Sequence, residues 1–329
     1  NAAFSREELI AYFAAVRDRD LDNLRQCLQA NPALTEARVN EGAMSLRGEA
    51  FVDALHQPLT DRTLTAIHQA SFSYHDRQAG HRRGDDVIRL LLEYGADPDA
   101  IGFDGNNGHC APIVIASWDG GIETMQLLLE AGADVSGEQG VEALSTCASH
   151  DNTERFDLLQ EFGAQASPWM LVKAGLSDRV VALIDEDPAL LSQTDDDGYT
   201  LLQAAAKRMK ADGFERLPEA GRRMAGAMIE RGAEVDAFSA AAMNDVERLQ
   251  SLLQADLEQA HQQMKDGNTA VNMAVQARSN DALRVMLEAG VEADTEALRW
   301  AARMDYTVAC RLLIEHGAQV TDEVTLAAA

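Results

Sequence analysis

The stretch TMQLLLEAGADVSG, residues 124–137, decides the fold. The same phrase returns as VIRLLLEYGADPDA at 87–100 and RFDLLQEFGAQAS at 155–167. It returns again as AGAMIERGAEVDA at 225–237, ALRVMLEAGVEAD at 282–294 and ACRLLIEHGAQVTD at 309–322. Each copy is an apolar helical face, then a glycine, then a short polar exit. Self-similarity of this kind marks a chain built from stacked units, each too small to bury its own apolar faces. The expectation is an all-α solenoid of about nine helix-turn-helix units. The glycines at 95, 132, 163, 232, 290 and 317 are predicted to take the left-handed conformation that closes a helix, where a Cβ costs about 1 kcal/mol or more.

Composition bounds the rest. Apolar residues make up 46% of the 329, but aromatics only 5%, so the core must be Leu, Ala, Val, Ile and Met in closely packed short helices. The net charge is −26, from 54 acidic and 28 basic residues. Such a surface repels phosphate backbones and anionic membranes and favours a basic protein partner. The candidate basic patches, His81-Arg82-Arg83 and Arg222-Arg223, are short. Cys27, Cys110, Cys147 and Cys310 are scattered without a CxxC pair, which speaks against a disulfide framework. No apolar run approaches the roughly 20 residues of a membrane span. No signal peptide is visible, so a cytoplasmic monomer is expected.

Taken in order, residues 5–39 read as an N-terminal capping unit opened by the capping box Ser5/Glu8. Residues 40–62, with Gly42, Gly48 and Pro58, show no clear period and read as an insertion. Internal repeats run from 63 to 294, with a second insertion at 75–84 and another near 210–220. Residues 295–329 read as a C-terminal capping unit whose last residues form either a final capping helix or the start of a helix that continues in a longer chain. The loop glycines at 102, 105 and 108 lack the dinucleotide fingerprint, and Asp195-Asp196-Asp197-Gly198 lacks the spacing of a calcium loop. Both read as loop tips.

Thr65-Ala66-Ile67-His68-Gln69-Ala70, followed by Leu91, Leu92, Gly95, Ala96 and Asp97, resembles the ankyrin repeat, whose signature is Thr-Pro-Leu-His-x-Ala and then Leu-Leu-x-x-Gly-Ala-Asp. The Gly-Ala pairs at 95, 132 and 163 are 37 and 31 apart, close to that family's period of about 33. The resemblance covers nearly the whole chain, although most copies lack the histidine. It implies that His68 makes internal hydrogen bonds, and that the first helix of each unit, with its preceding loop, lines a concave face. Small residues in those first helices (Ala70, Ala116, Ala148, Ala205, Ala274 and Ala301) let neighbours approach closely.

Alignment to that signature places Phe72, Trp118, Asp119, His150, Lys207, Arg208, Arg303 and Met304 on the groove side, with Trp118 and Asp119 at the centre of a partner-binding patch. No cofactor is implied. The competing reading is a small-molecule or metal-binding site, with catalysis as an option, in the groove of the early repeats, and it starts from the six histidines between 56 and 150. His109, Cys110, Cys147 and His150 together offer two thiols and two imidazoles to a metal such as zinc, and Asp119 with His150 offers a carboxylate–imidazole pair for proton transfer. No tight ligand spacing, nucleophile elbow or P-loop accompanies them, so the plainer reading is a non-catalytic protein-binding scaffold.

Overall fold

Most units begin where a Ser, Thr or Asp can cap a helix, and six of the nine end where a glycine turns the chain. Ser5 and Glu8 form the capping box ahead of α1 (Arg6–Asp18). Thr200 and Gln203 repeat it ahead of the helix that opens at Leu201. At the other ends, Gly95, Gly132, Gly163, Gly232, Gly290 and Gly317 all have φ between 84° and 100°. The residue after each donates its N–H back across the last turn. Ala96 bonds Leu91, Ala133 bonds Leu128 and Ala318 bonds Leu313, each at 3.0 Å. These are Schellman turns, and they satisfy carbonyls that a helix end leaves orphaned.

The structure is a computed structural model that describes residues 4–41, 43–46, 48–72, 84–104, 108–118, 121–150, 152–208 and 218–320. The expected insertions at 75–84 and 210–220 fall largely outside these residues, and the tail 321–329 falls wholly outside them. The chain forms two compact units, Asn1–Ala166 and Ser167–Ala329.

In the first unit, α1 pairs with α2 (Leu21–Ala30), and β1 (Arg38–Asn40) follows. Next come α3 (Gly48–His56), β2 (Thr63–Thr65), α4 (Ala66–Ser71) and α5 (Asp85–Glu93). A hairpin of β3 (Gly102–Asp104) and β4 (Gly108–Cys110) leads into α6 (Pro112–Trp118) and α7 (Ile122–Glu130). The unit closes with α8 (Glu138–Ser149) and α9 (Thr153–Glu161). β1 runs antiparallel to β2 with Val39 opposite Leu64. β3 runs antiparallel to β4 with Phe103 opposite His109.

The second unit stacks five pairs. They are α10 (Pro168–Lys173) with α11 (Ser177–Glu186), α12 (Leu201–Lys207) with α13 (Pro218–Glu230), and α14 (Ala237–Met243) with α15 (Val246–Ala255). The last two are α16 (Ala270–Gln276) with α17 (Asn280–Glu288) and α18 (Thr295–Arg303) with α19 (Thr307–Glu315). Nine helix pairs are thus present among the described residues.

The alanines expected to be small for packing reasons are buried: Ala70, Ala116, Ala148, Ala205, Ala274 and Ala301. They lie where first helices of successive pairs meet, as α6 meets α8 and α14 meets both α12 and α16. In the second unit Leu249, Leu283, Met286, Leu298 and Leu313 join Ala274 and Ala301 in one continuous apolar cluster. Each pair therefore buries its faces against its neighbours rather than around a single centre.

Residues 40–62, expected to be an insertion without clear period, carry α3, which packs against α1. Phe51 anchors it at 2% exposure, with the Arg17 guanidinium 4.2 Å from the ring centroid. Nine residues give two and a half turns, too few for an apolar period to declare itself.

Candidate functional site

Trp118 is the last residue of α6 and is 39% exposed. Its indole Nε1–H donates to His150 Nε2 at 3.0 Å, and His150 Nδ1 lies 2.9 Å from the Thr146 carbonyl. A carbonyl only accepts, so Nδ1 carries the proton and Nε2 is left to accept from the indole. Both imidazole nitrogens are therefore engaged, and the ring is committed to holding Trp118. Arg155, on α9, donates to the carbonyls of Ser117 at 3.1 Å and Trp118 at 3.4 Å, which caps the C-terminus of α6. One bond thus ties the indole to the residue that caps α8, while Arg155 of α9 fixes the backbone that carries it, and the residue stays 39% exposed. Asp119 lies outside the described residues.

The other expected site residues are placed differently. Phe72 is half-buried at the end of α4. Met304 is half-buried and packs on the apolar cluster of the second unit, as does Trp300. Arg303 is exposed, with its guanidinium 5.5 Å from the Trp300 centroid. Arg208 donates to the Lys173 carbonyl. Lys207 sits over the Tyr199 ring at 3.8 Å and pairs with Asp266 at 2.9 Å. The structure thus brings Trp118 and His150 together in the first unit, while Lys207 and Arg208 in the second are committed to neighbours of their own.

The metal grouping does not form. Among the described residues, no group of three or more His, Cys, Asp or Glu side chains could hold an ion. Cys110 is buried. Cys147 is buried with its sulfur 3.9 Å from the Ser117 carbonyl, and burial pushes its thiol up to about 12. His109 stacks edge-on against Phe103, with Nε2 3.3 Å from the Asp61 carbonyl. Metal binding by these four side chains requires convergence, and His109, Cys147 and His150 each face a different partner.

His68 fills the role the signature implied. Nδ1 lies 2.8 Å from Thr65 Oγ1 and Nε2 lies 3.1 Å from the Cys110 carbonyl, so Nε2 carries the proton. The bond ties α4 to the next unit's hairpin. Burial lowers the imidazole to about 4, which keeps it neutral.

Two features went unseen in the sequence. Tyr199 donates to Asp266 at 2.5 Å, joining loops two helix pairs apart. Asn268 adds a bond to the same carboxylate at 2.8 Å. Burial opposes the Asp266 charge, but bonds from Tyr199, Lys207 and the Asn268 backbone outweigh it and hold the group at about 2. The aromatic just before the Thr200 cap was the available signal. Elsewhere in the second unit, a cavity of about 450 Å³ is lined by Gly175, Leu176, Ser177, Asp178, Arg179 and Arg223. Its lining comes from α13 and the α10–α11 turn, and no local motif announces such a meeting.

Comparison with known families agrees with this architecture. The family model described as an ankyrin repeat matches residues 64–102. The model described as three copies of ankyrin repeats matches residues 238–323. A search of curated proteins finds no match to the chain. No helix among the described residues is long and apolar enough to cross a membrane.

Proposed function

Because this chain is an ankyrin-repeat protein, we propose that it acts as a non-catalytic scaffold that binds a protein partner on the groove face around Trp118 and His150. Repeats of this family generally mediate protein–protein interaction. The observation that carries the reading is the exposed indole oriented by its bond to His150, on a helix end capped by Arg155. Tryptophan is enriched among residues that dominate binding energy, and a side chain ordered beforehand loses little entropy on binding. The net charge of −26 favours a basic partner and makes the interaction salt-sensitive. The scaffold works in the cytoplasm as a monomer in this reading.

A photo-reactive phenylalanine placed at the exposed Ser149, beside His150, tests the site in source cells, with the same probe at exposed Phe162 as control. Discrete protein adducts are expected at 149, lost with Trp118→Ala and reduced as salt rises from about 50 to 300 mM. Adducts at 162 with none at 149 would move the interface elsewhere. Sedimentation of the pure chain at twice its monomer mass would remove the monomer assignment.

A further inference from the structure

Five aromatic rings of this protein are covered by the chain's own cations, and Trp118 is not among them. Phe51 is covered by Arg17 at 4.2 Å, Phe103 by Arg62 at 4.4 Å and Tyr199 by Lys207 at 3.8 Å. Tyr306 is covered by Arg278 at 4.9 Å and Trp300 by Arg303 at 5.5 Å. The indole, the strongest of these ring types for attracting a cation, receives none at Trp118 from the described residues. The sequence explains why. Between Arg89 and Arg155 there is no lysine or arginine, while twelve aspartates and glutamates fall in the same interval. Arg155 itself is turned to the carbonyls that end α6.

We propose that the face of Trp118 receives an arginine side chain from a basic segment of the protein partner, a role that rests on the scaffold reading above. Three observations converge on it. The indole is exposed and its Nε1–H is already spent on His150, so the ring face is the part left for recognition. The sequence interval around Trp118 carries twelve carboxylates and no lysine or arginine, so an incoming guanidinium meets complementary charge. Arginine suits the site better than lysine, because its planar, weakly hydrated guanidinium stacks flat on an indole while its N–H groups still reach carboxylates. The partner thereby does for Trp118 what the chain's own cations do for five of its other rings.

The test uses the full chain labelled with 5-fluorotryptophan, whose three indoles give three fluorine resonances. Trp118→Phe assigns the relevant one. The probe is an alternating arginine–glycine octapeptide at about 150 mM salt, where long-range attraction is largely screened. Its arginines are replaced by uncharged citrulline in a matched control. The arginine peptide is expected to move the Trp118 resonance and leave those of Trp169 and Trp300 in place, and the citrulline peptide to move none. Trp118→Leu is expected to weaken peptide binding about fivefold.

An unmoved Trp118 resonance, an equal shift with citrulline, or unchanged affinity in Trp118→Leu overturns the proposal, the last because binding would then be diffuse surface charge. The two readings fail separately. Adducts at Ser149 that depend on Trp118, alongside a peptide that ignores the indole, would keep the scaffold and discard the arginine.

Discussion

At the scale of single residues, the buried imidazole of His68 makes folding sensitive to acid in a defined window. Its folded value of about 4 lies below the ordinary 6.5, so between those values the unfolded chain binds the extra proton and the native chain does not. Stability is therefore complete above about 6.5 and is lost as pH falls towards 4, with an upper bound of about 3 kcal/mol from this group. Chemical denaturation of wild type and His68→Asn at pH 7 and 4.5 should show a smaller pH dependence in the variant. Gly102 is the neighbour that makes room for this ring. A Cβ there would lie 2.6 Å from His68 Nε2, so Gly102→Ala should destabilise by about 1–3 kcal/mol in the same assay. The role of His68 was legible from the Thr-x-x-His spacing around it. That of Gly102 was not, because nothing in a loop glycine tells which distant ring leans on it. Trp118 was legible as a groove residue, but the His150 tautomer that fixes it required the positions of two carbonyl and ring partners.

At the scale of elements, the helix ends separate two reasons for being glycine. At Gly132 an added Cβ meets nothing within 4 Å, and the cost lies in its φ of 96°. Gly132→Ala should lose about 1 kcal/mol, and Gly132→Asn less, since asparagine tolerates the left-handed region. Thermal melts of the two variants provide the check. At Gly140 the φ is ordinary for a helix but the Cβ would meet the Val135 carbonyl, so no substitution fits without moving backbone. The repeated phrase made the first kind of glycine readable. Tyr199 illustrates what it could not show. The pair α14–α15 has only a tight loop before it, and the flanking loops close over that gap through Tyr199 and Asp266. In Tyr199→Phe, the Asp266 carboxyl should rise from about 2 towards its ordinary 3.8, as read by NMR titration. The stability this carboxylate contributes is present above 3.8 and lost as pH falls through 2, so the variant should have less of it to lose and should finish losing it at a higher pH.

At the scale of the whole molecule, charge acts in two opposite senses. A net −26 destabilises the folded chain by self-repulsion, which salt screens. Raising salt from about 20 to 200 mM should lift the melting temperature by about 2 °C or more, while the proposed basic partner is released over the same range. Calorimetry and binding titration run in parallel would reveal both signs. The stacked architecture was legible because every unit solves the same burial problem with the same phrase. Helix α3 was not, since a helix that belongs to no pair repeats nothing. The partner is the hardest to read, because a scaffold writes it in which side chains are left uncovered, a property of the folded surface. The interval between Arg89 and Arg155 has a last consequence, for the cell and the laboratory alike. It offers no lysine to acetylation or ubiquitin and no bond to trypsin. Its charge cannot be retuned by lysine modification, and a tryptic map returns the segment around Trp118 as one very large peptide that Glu-directed cleavage would divide.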